Sequence, residues 1–196
     1  MKKDKIVIGV GGNIGSGKTT VARIFQSYGM KYISADRIGK SVLPEITRQL
    51  RRHLGEKIFS GSKLDKKKLR NLVFSNQKYL RILNQLSHPR LLKRLNDRLN
   101  GICSGMVVID AALLFDWKDL LKKIDCPILV KASLTLKKER AQKRGITEKD
   151  FYHIIQNQQS ESEMEKKAKY VIINNGTLGQ LKRQCQKIYK ELKNDC

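Results

Sequence analysis

The residues with the clearest chemistry are residues 12–19, which read G-N-I-G-S-G-K-T. They fit the pattern G-x-x-x-x-G-K-[ST], whose glycine-rich turn points backbone N–H groups at phosphate. In that pattern Lys18 reaches the β- and γ-phosphates of a nucleoside triphosphate, and the Thr19 hydroxyl joins the shell of a Mg²⁺ ion. The pattern therefore predicts a nucleotide site. Its expected binding residues are Asn13, Ile14, Gly15, Ser16, Gly17, Lys18, Thr19 and Thr20.

Two other nucleotide-binding patterns fail on spacing or composition. A dinucleotide-binding loop needs a third glycine, but Ile14 stands there after Gly9-x-Gly11, and Thr20 after Gly15-x-Gly17. This excludes hydride transfer. A GTPase needs a base-reading N-K-x-D, which does not occur in the chain.

Two acids come at the ends of later β-type runs. Asp36 follows the second run, where it would sit beside the phosphates and could take the proton of an attacking hydroxyl. The alternative is a helix N-cap, which Asp also favours. Asp110 ends the apolar run that begins at Met106 and could orient Mg²⁺ through water. The alternative role for Asp110 is to cap the next loop.

The elements that must position these groups alternate between strand and helix. Strands are expected at residues 5–10, 31–35, 106–110, 128–132 and 170–173. The first helix should begin at Lys18, with a C-terminal cap at Gly29. The core face of this helix is predicted to carry Val21, Ile24, Phe25 and Tyr28, and that of the last helix Leu178, Leu181, Cys185, Ile188 and Leu192. Such alternation predicts a three-layer α/β fold with a parallel five-stranded sheet.

Two segments interrupt the alternation. Residues 46–99 read as several basic helices, and residues 137–165 are polar and helical in pattern. We expect a nucleotide-binding core (residues 1–45, 100–136 and 166–196), an acceptor-binding helical insert (46–99) and a lid (137–165). Closure of a lid would exclude the water that otherwise competes for the phosphoryl group.

The bulk composition limits the partners. The formal charge is +23, and between Arg48 and Arg98 fifteen Lys/Arg face three acids, which favours polyanions or a phosphorylated substrate. No apolar run approaches the roughly 20 residues of a membrane span, and glycines break up the first apolar run, so neither a membrane anchor nor a signal peptide is expected. The scattered cysteines, Cys196 among them, are expected to be reduced thiols rather than zinc ligands.

Nearly the whole chain resembles the dephospho-coenzyme A kinase family. The phosphate-binding residues look like the family's opening, and Ala35-Asp36 like the end of its D-A-D. Further matches follow in order: L-D-K-K-K-L at 64–69, L-S-H-P at 86–89, D-A-A-L-L-F-D at 110–116, Arg140, Arg144 and Gln158 in the polar segment, and I-I-N-N-G at 172–176. The resemblance implies a P-loop kinase fold and a cytoplasmic enzyme that uses ATP to phosphorylate the ribose 3′-hydroxyl of dephospho-coenzyme A.

The resemblance also implies roles. Asp36, Lys18 and Arg140 would be catalytic, with Arg140 over the phosphates once the lid closes. Asn174 and Asn175 would join Arg140 in binding the nucleotide. Substrate contacts would come from Asp36, Lys66, His88, Leu113 and Arg144, although His88 before Pro89 could instead mark a helix boundary. Trp117 and the tyrosines are expected only to pack.

Several residues depart from the family pattern. Ser34 replaces the first Asp of D-A-D, Lys66 an Arg, Ala112 a Pro and Asp116 a Glu, while Met164 and Lys169 stand at a basic and an acidic position. The sequence leaves two other functions open: a nucleoside monophosphate kinase and a nucleic-acid-binding ATPase. Few aromatics accompany the basic residues, so no specific nucleic acid partner is expected. We expect a monomer or a small homo-oligomer.

Overall fold

The computed structural model describes residues 4–194, and Cys196 therefore lies outside the described residues. Seven strands lie in this range: β1 (Lys5–Gly11), β2 (Lys31–Ser34), β3 (Phe59–Ser60), β4 (Lys63–Leu64), β5 (Gly105–Asp110), β6 (Cys126–Lys131) and β7 (Tyr170–Ile173). Five of them form one parallel sheet in the order β2-β5-β1-β6-β7. The predicted fold class is confirmed.

The helices alternate with these strands as the sequence pattern indicates. They are α1 (Lys18–Ser27), α2 (Ala35–Leu54), α3 (Lys66–Ser75), α4 (Gln77–Asn100), α5 (Lys118–Leu121), α6 (Leu134–Gln142), α7 (Glu148–Asn157), α8 (Glu161–Glu165) and α9 (Leu178–Asn194). Helix α1 starts at Lys18 as expected. Gly29 lies just beyond the end of α1 at φ +92°, and its N–H donates to the Gln26 carbonyl inside the helix.

Alternating side chains of the sheet fill a core on each face. Val7 and Ile109 pack with residues of α2, α4 and α8. Ile8 and Val108 pack with residues of α1 and α9 on the other face. These two layers of helices hold the carboxyl ends of β1, β2 and β5 at one edge, the edge where parallel sheets bind ligands.

Two smaller apolar clusters lie around the segments predicted to be the insert and the lid. Helices α2, α3 and α4 enclose a cluster around Ile46, Leu50 and Val73. In the lid, Ala141, Ile146 and Phe151 pack together with Ile14 of the phosphate-binding turn. No helix among residues 4–194 is both long and apolar enough to cross a bilayer.

The bounds of β1, β5 and β6 differ from the predicted ones by one or two residues, and four other local predictions were wrong. Helix α2 already starts at Ala35, so β2 is one residue shorter than expected and α2 runs past residue 46 without a break. The insert contains a short antiparallel hairpin, β3–β4, besides its helices. Leu178 is 54% exposed because it lies in the first turn of α9, beyond the buried stripe.

The fourth concerns His88 and Pro89, which lie inside α4 and mark no boundary. A proline inside a helix removes one hydrogen bond and crowds the preceding turn. Side chains supply bonds to carbonyls nearby, since Ser87 Oγ donates to Leu83 O at 2.7 Å and Arg90 Nη1 to Leu86 O at 3.1 Å.

Candidate active site

The phosphate loop, residues 12–19, joins β1 to α1. Its glycines take backbone conformations that other residues rarely adopt, with φ +74° at Gly15 and +95° at Gly17. No side chain caps α1, whereas Ser34, Asp65, Asn76, Ser133 and Thr147 cap α2, α3, α4, α6 and α7. The fully buried Ser16 hydroxyl has no hydrogen-bond partner among the described residues. An uncapped helix start behind such a loop is a binding site for phosphate.

Side chains from distant parts of the chain brace this loop. Asn174 Nδ2 donates to Ser16 O at 2.8 Å, and Gln158 Oε1 accepts from Ile14 N at 2.9 Å. Arg140 donates to Gly15 O at 3.3 Å and to Asn174 O at 3.0 Å. The loop is therefore fixed by the end of β7 and by the lid together.

The phosphate cleft, a cavity of about 400 Å³, opens beside the loop at the carboxyl edge of the sheet. It brings together five of the predicted site residues: Lys18, Thr19, Asp36, Asp110 and Arg144. They come from α1, the start of α2, the end of β5 and the turn after α6. Two cations, a hydroxyl and two carboxylates thus surround one space next to an uncapped helix.

Lys18 lies in a mixed electrostatic environment. Burial is the largest cause acting on its pKa and lowers it below the usual value. The Asp110 carboxylate opposes this, Arg144 adds to the lowering, and Asp36 opposes it again. A phosphate group in the cleft would favour the charged ammonium and offset its loss of water.

Asp36 occupies the second position of α2 and points to solvent. Its Oδ2 lies 2.8 Å from Lys40 Nζ, with both side chains exposed. The N-cap of α2 is Ser34, whose hydroxyl accepts from Arg37 N at 3.2 Å. The alternative that Asp36 serves as the cap is therefore wrong.

Asp110 is only 5% exposed, and its Oδ2 accepts a hydrogen bond from the Tyr32 hydroxyl at 3.1 Å. Tyr32, Arg23, Arg37 and Lys40 also line the phosphate cleft. No chemical role was expected for these four residues. Tyr32 belongs to β2 and comes next to β5 only through the sheet order, which sequence spacing does not reveal.

Three other predicted nucleotide ligands have protein partners. The guanidinium of Arg140 is bonded to carbonyls of the phosphate loop and of Asn174, and Arg140 is not among the residues that line the cleft. Asn174 is buried beneath the loop, and Asn175 Oδ1 accepts from Ser133 N at the start of α6. Arg140 and Asn174 therefore support the phosphate loop, while Asn174 and Asn175 also line a separate cavity of about 560 Å³ beside α9.

The acceptor pocket, a largely apolar cavity of about 260 Å³, adjoins the phosphate cleft. It contains His88 and Leu113 of the predicted substrate residues and shares Asp36, Lys40 and Ala112 with the cleft. Burial lowers the pKa of His88, so a neutral imidazole lies against Trp117, with ring centroids 5.4 Å apart. Trp117 Nε1 is buried without a hydrogen-bond partner among the described residues.

Lys66 is not brought to either cavity. It is exposed at the first position of α3, and it is absent from the linings of the phosphate cleft and the acceptor pocket. The adjacent Asp65 caps α3 by accepting from Lys67 N and Lys68 N.

Comparison with known families gives a match along most of the chain. The family model described as dephospho-CoA kinase matches residues 6–180. A dephospho-CoA kinase from Aquifex aeolicus is 33% identical over 196 residues, which cover 96% of this chain and 98% of that protein.

Solved structures agree on the architecture. TT1252 from Thermus thermophilus superposes with a TM-score of 0.79 at 31% identity and covers 97% of this chain and 99% of its own. A shikimate kinase from Acinetobacter baumannii, with a TM-score of 0.52 at 15% identity and coverage of 98% and 94%, shares the fold.

Proposed function

The chain belongs to the dephospho-CoA kinase family, and on that premise we propose that its two cavities carry out one phosphoryl transfer. The phosphate cleft takes ATP, and the acceptor pocket takes the adenosine end of dephospho-coenzyme A. The observation that carries this is the shared wall: Asp36, Lys40 and Ala112 line both cavities. An acceptor hydroxyl at this wall lies between a carboxylate and the phosphates.

Different residues around the cleft bind the phosphates, stabilise the transition state and support the loop. Backbone N–H groups of the phosphate loop and of the start of α1 hold the phosphates. Lys18 and Arg144 stabilise the negative charge that spreads over the γ-phosphoryl oxygens in the transition state. Arg140 acts on the shape of the loop, and a position over the phosphates would require its guanidinium to leave the Gly15 and Asn174 carbonyls.

Asp36 receives the proton. The ribose 3′-oxygen forms a bond to the γ-phosphorus, the bond between that phosphorus and the β,γ-bridging oxygen breaks, and ADP leaves. The hydroxyl proton passes to the Asp36 carboxylate, which can release it to water because it is exposed. The products are coenzyme A and ADP.

Mg²⁺ fits the donor set of the cleft. Thr19 offers a hydroxyl and Asp110 a buried carboxylate. Within residues 4–194 no three His, Cys, Asp or Glu side chains cluster as metal ligands. Mg²⁺ is commonly held by one or two protein oxygens together with substrate phosphates. When bound, it neutralises charge on the phosphates, while Thr19, and Asp110 through water, orient it.

The proposed function predicts that ADP release depends on the acceptor. With ATP and Mg²⁺, addition of dephospho-coenzyme A should produce coenzyme A, detected by mass, together with an equal amount of ADP. CMP and shikimate should be poor acceptors because they lack the adenosine that would fill the largely apolar pocket. AMP should be poor because it lacks the pyrophosphate and the rest of the larger substrate, whose binding would help to position the reacting hydroxyl. Reactions without an acceptor give the background hydrolysis. Faster turnover with a nucleoside monophosphate would instead assign the chain to that class of kinase.

A further inference from the structure

Tyr32 and Asp110 meet at the carboxyl ends of two neighbouring strands. Strands β2 and β5 pair in parallel, with Tyr32 opposite Val108 and Ser34 opposite Asp110. The Tyr32 hydroxyl donates to Asp110 Oδ2 at 3.1 Å, a contact between residues 78 positions apart in the chain. A bond to one carboxylate oxygen restricts rotation of the whole group, and Asp110 is nearly buried.

The tyrosine ring is itself held in place. The guanidinium carbon of Arg23 lies 4.1 Å from the centroid of the Tyr32 ring, within the range of a cation–π contact. Both side chains line the phosphate cleft with Thr19.

Ser34 is the register partner of Asp110 at the end of β2. Its hydroxyl accepts from Arg37 N as the cap of α2. The end of β2 thus supplies no carboxylate at that position, and the orientation of Asp110 depends on the tyrosine two residues earlier.

We propose that Tyr32 is a positioning residue that holds the Asp110 carboxylate in the orientation needed for the divalent cation of the bound nucleotide. Groups that orient a metal-binding side chain typically change metal affinity by about 10- to 100-fold when removed. Substitution of a residue that only packs would change the stability of the fold but not the metal affinity. The inference rests on the proposed function for the identity of the cleft as a nucleotide site.

The test is Tyr32→Phe, which removes one oxygen and keeps the ring under Arg23. Mn²⁺ binding to the full chain, saturated with a non-hydrolysable ATP analogue, is measured by electron paramagnetic resonance. We expect the Kd for Mn²⁺ to rise about tenfold. In turnover, the KM for Mg²⁺ should rise similarly, with kcat at saturating Mg²⁺ nearly unchanged.

Tyr28→Phe is the matched control. Its hydroxyl donates to Lys182 O at 3.4 Å on an exposed surface that is not part of the cleft. Its Kd for Mn²⁺ should equal that of the wild type. A Tyr32→Phe value within about twofold of the wild type, well below the range for metal-orienting groups, would overturn the inference, as would an equal shift in both variants.

The Mn²⁺ titration needs no acceptor. A wild-type protein that binds Mn²⁺ and nucleotide but makes no coenzyme A would contradict the proposed function and leave the role of Tyr32 to be decided by the titration. A wild type that makes coenzyme A while Tyr32→Phe binds Mn²⁺ normally would contradict the role of Tyr32 alone.

Discussion

Asp36 contributes little to the stability of the fold. Its side chain is 78% exposed and its ion pair with Lys40 is in water, where such pairs add little to stability. Capping of α2 is done by Ser34. What distinguishes Asp36 is its place on the wall between the phosphate cleft and the acceptor pocket.

Replacing Asp36 with Asn should therefore slow transfer without disturbing the fold. An amide cannot take the proton of the hydroxyl, and loss of a general base typically costs about 10²- to 10⁴-fold in rate. A loose, metaphosphate-like transition state needs less help from a base, so we expect the lower end of that range. Single-turnover transfer measures the rate, and a separate ATP titration should give a Kd close to that of the wild type.

Asp119→Asn is a matched control for this substitution. Asp119 is also an exposed first-turn aspartate, in α5, and its Oδ1 lies 3.3 Å from Nζ of Lys122, just beyond the end of that helix. It lines neither cavity, so its rate should equal that of the wild type. If Asp36→Asn also turned over within about threefold, far from the range for a general base, the proton would have to go elsewhere.

Local sequence predicts the parts of the site that lie within one motif. The phosphate loop was found because the glycines, Lys18 and Thr19 are fixed by the eight-residue geometry of the loop itself. The contact of Tyr32 with Asp110 was missed because it depends on which strands are neighbours. The bonds of Arg140 to the loop were missed because 125 positions separate Arg140 from Gly15, and only the fold brings them together.

The phosphate loop packs closely against helix α6 of the lid. A Cβ at Gly15 would overlap the backbone of Lys137, and Lys137 in α6 forms a mostly buried ion pair with Glu161 of α8 at 2.7 Å. Gln158 adds a bond from beyond the end of α7 to Ile14. The lid therefore bears directly on the loop, and the packing between them leaves no space for a side chain.

Comparing Gly15→Ala with Gly29→Ala distinguishes the cost of backbone strain from the effect of the contact with α6. Both glycines have positive φ, +74° and +92°, so alanine should cost about 1–2 kcal/mol at either. Among the described residues nothing lies within 4 Å of a Cβ at Gly29. Gly29→Ala should lower the free energy of unfolding by that amount and bind ATP normally.

Gly15→Ala should in addition lose ATP affinity, because the loop or α6 must shift and phosphate hydrogen bonds are weakened. Each such bond to a charged group is worth about 1.5–3 kcal/mol, so losing one means about tenfold or more in Kd. Thermal unfolding and an ATP titration measure the two effects. Equal ATP affinity in both variants would show that the contact with α6 has no influence on the nucleotide site.

The charge of +23 concerns the whole molecule. Of the fifteen Lys/Arg between Arg48 and Arg98, all but Arg90 and Arg94 are exposed, spread over α2, α3, α4 and their connections. The three aromatic rings of the insert already have cations over them: Arg51 over Phe59, Arg70 over Phe74 and Lys57 over Tyr79. Rings covered in this way are poor platforms for stacking nucleic acid bases.

Binding of random duplex DNA should therefore be purely electrostatic. Scattered surface cations release counterions on binding, and a protein with about 6–10 phosphate contacts loses about 10³- to 10⁵-fold in affinity between 50 and 200 mM salt. Fluorescence anisotropy with two unrelated duplexes should give equal affinities at low salt and no measurable binding near physiological salt. Turnover of dephospho-coenzyme A across the same salt series is the control. It should fall far less, because binding in the acceptor pocket also depends on apolar contacts, which salt does not screen. Binding that distinguished the two sequences, or that persisted at 200 mM salt, would make the insert a nucleic acid reader, and its charge would then need a purpose beyond holding an anionic substrate.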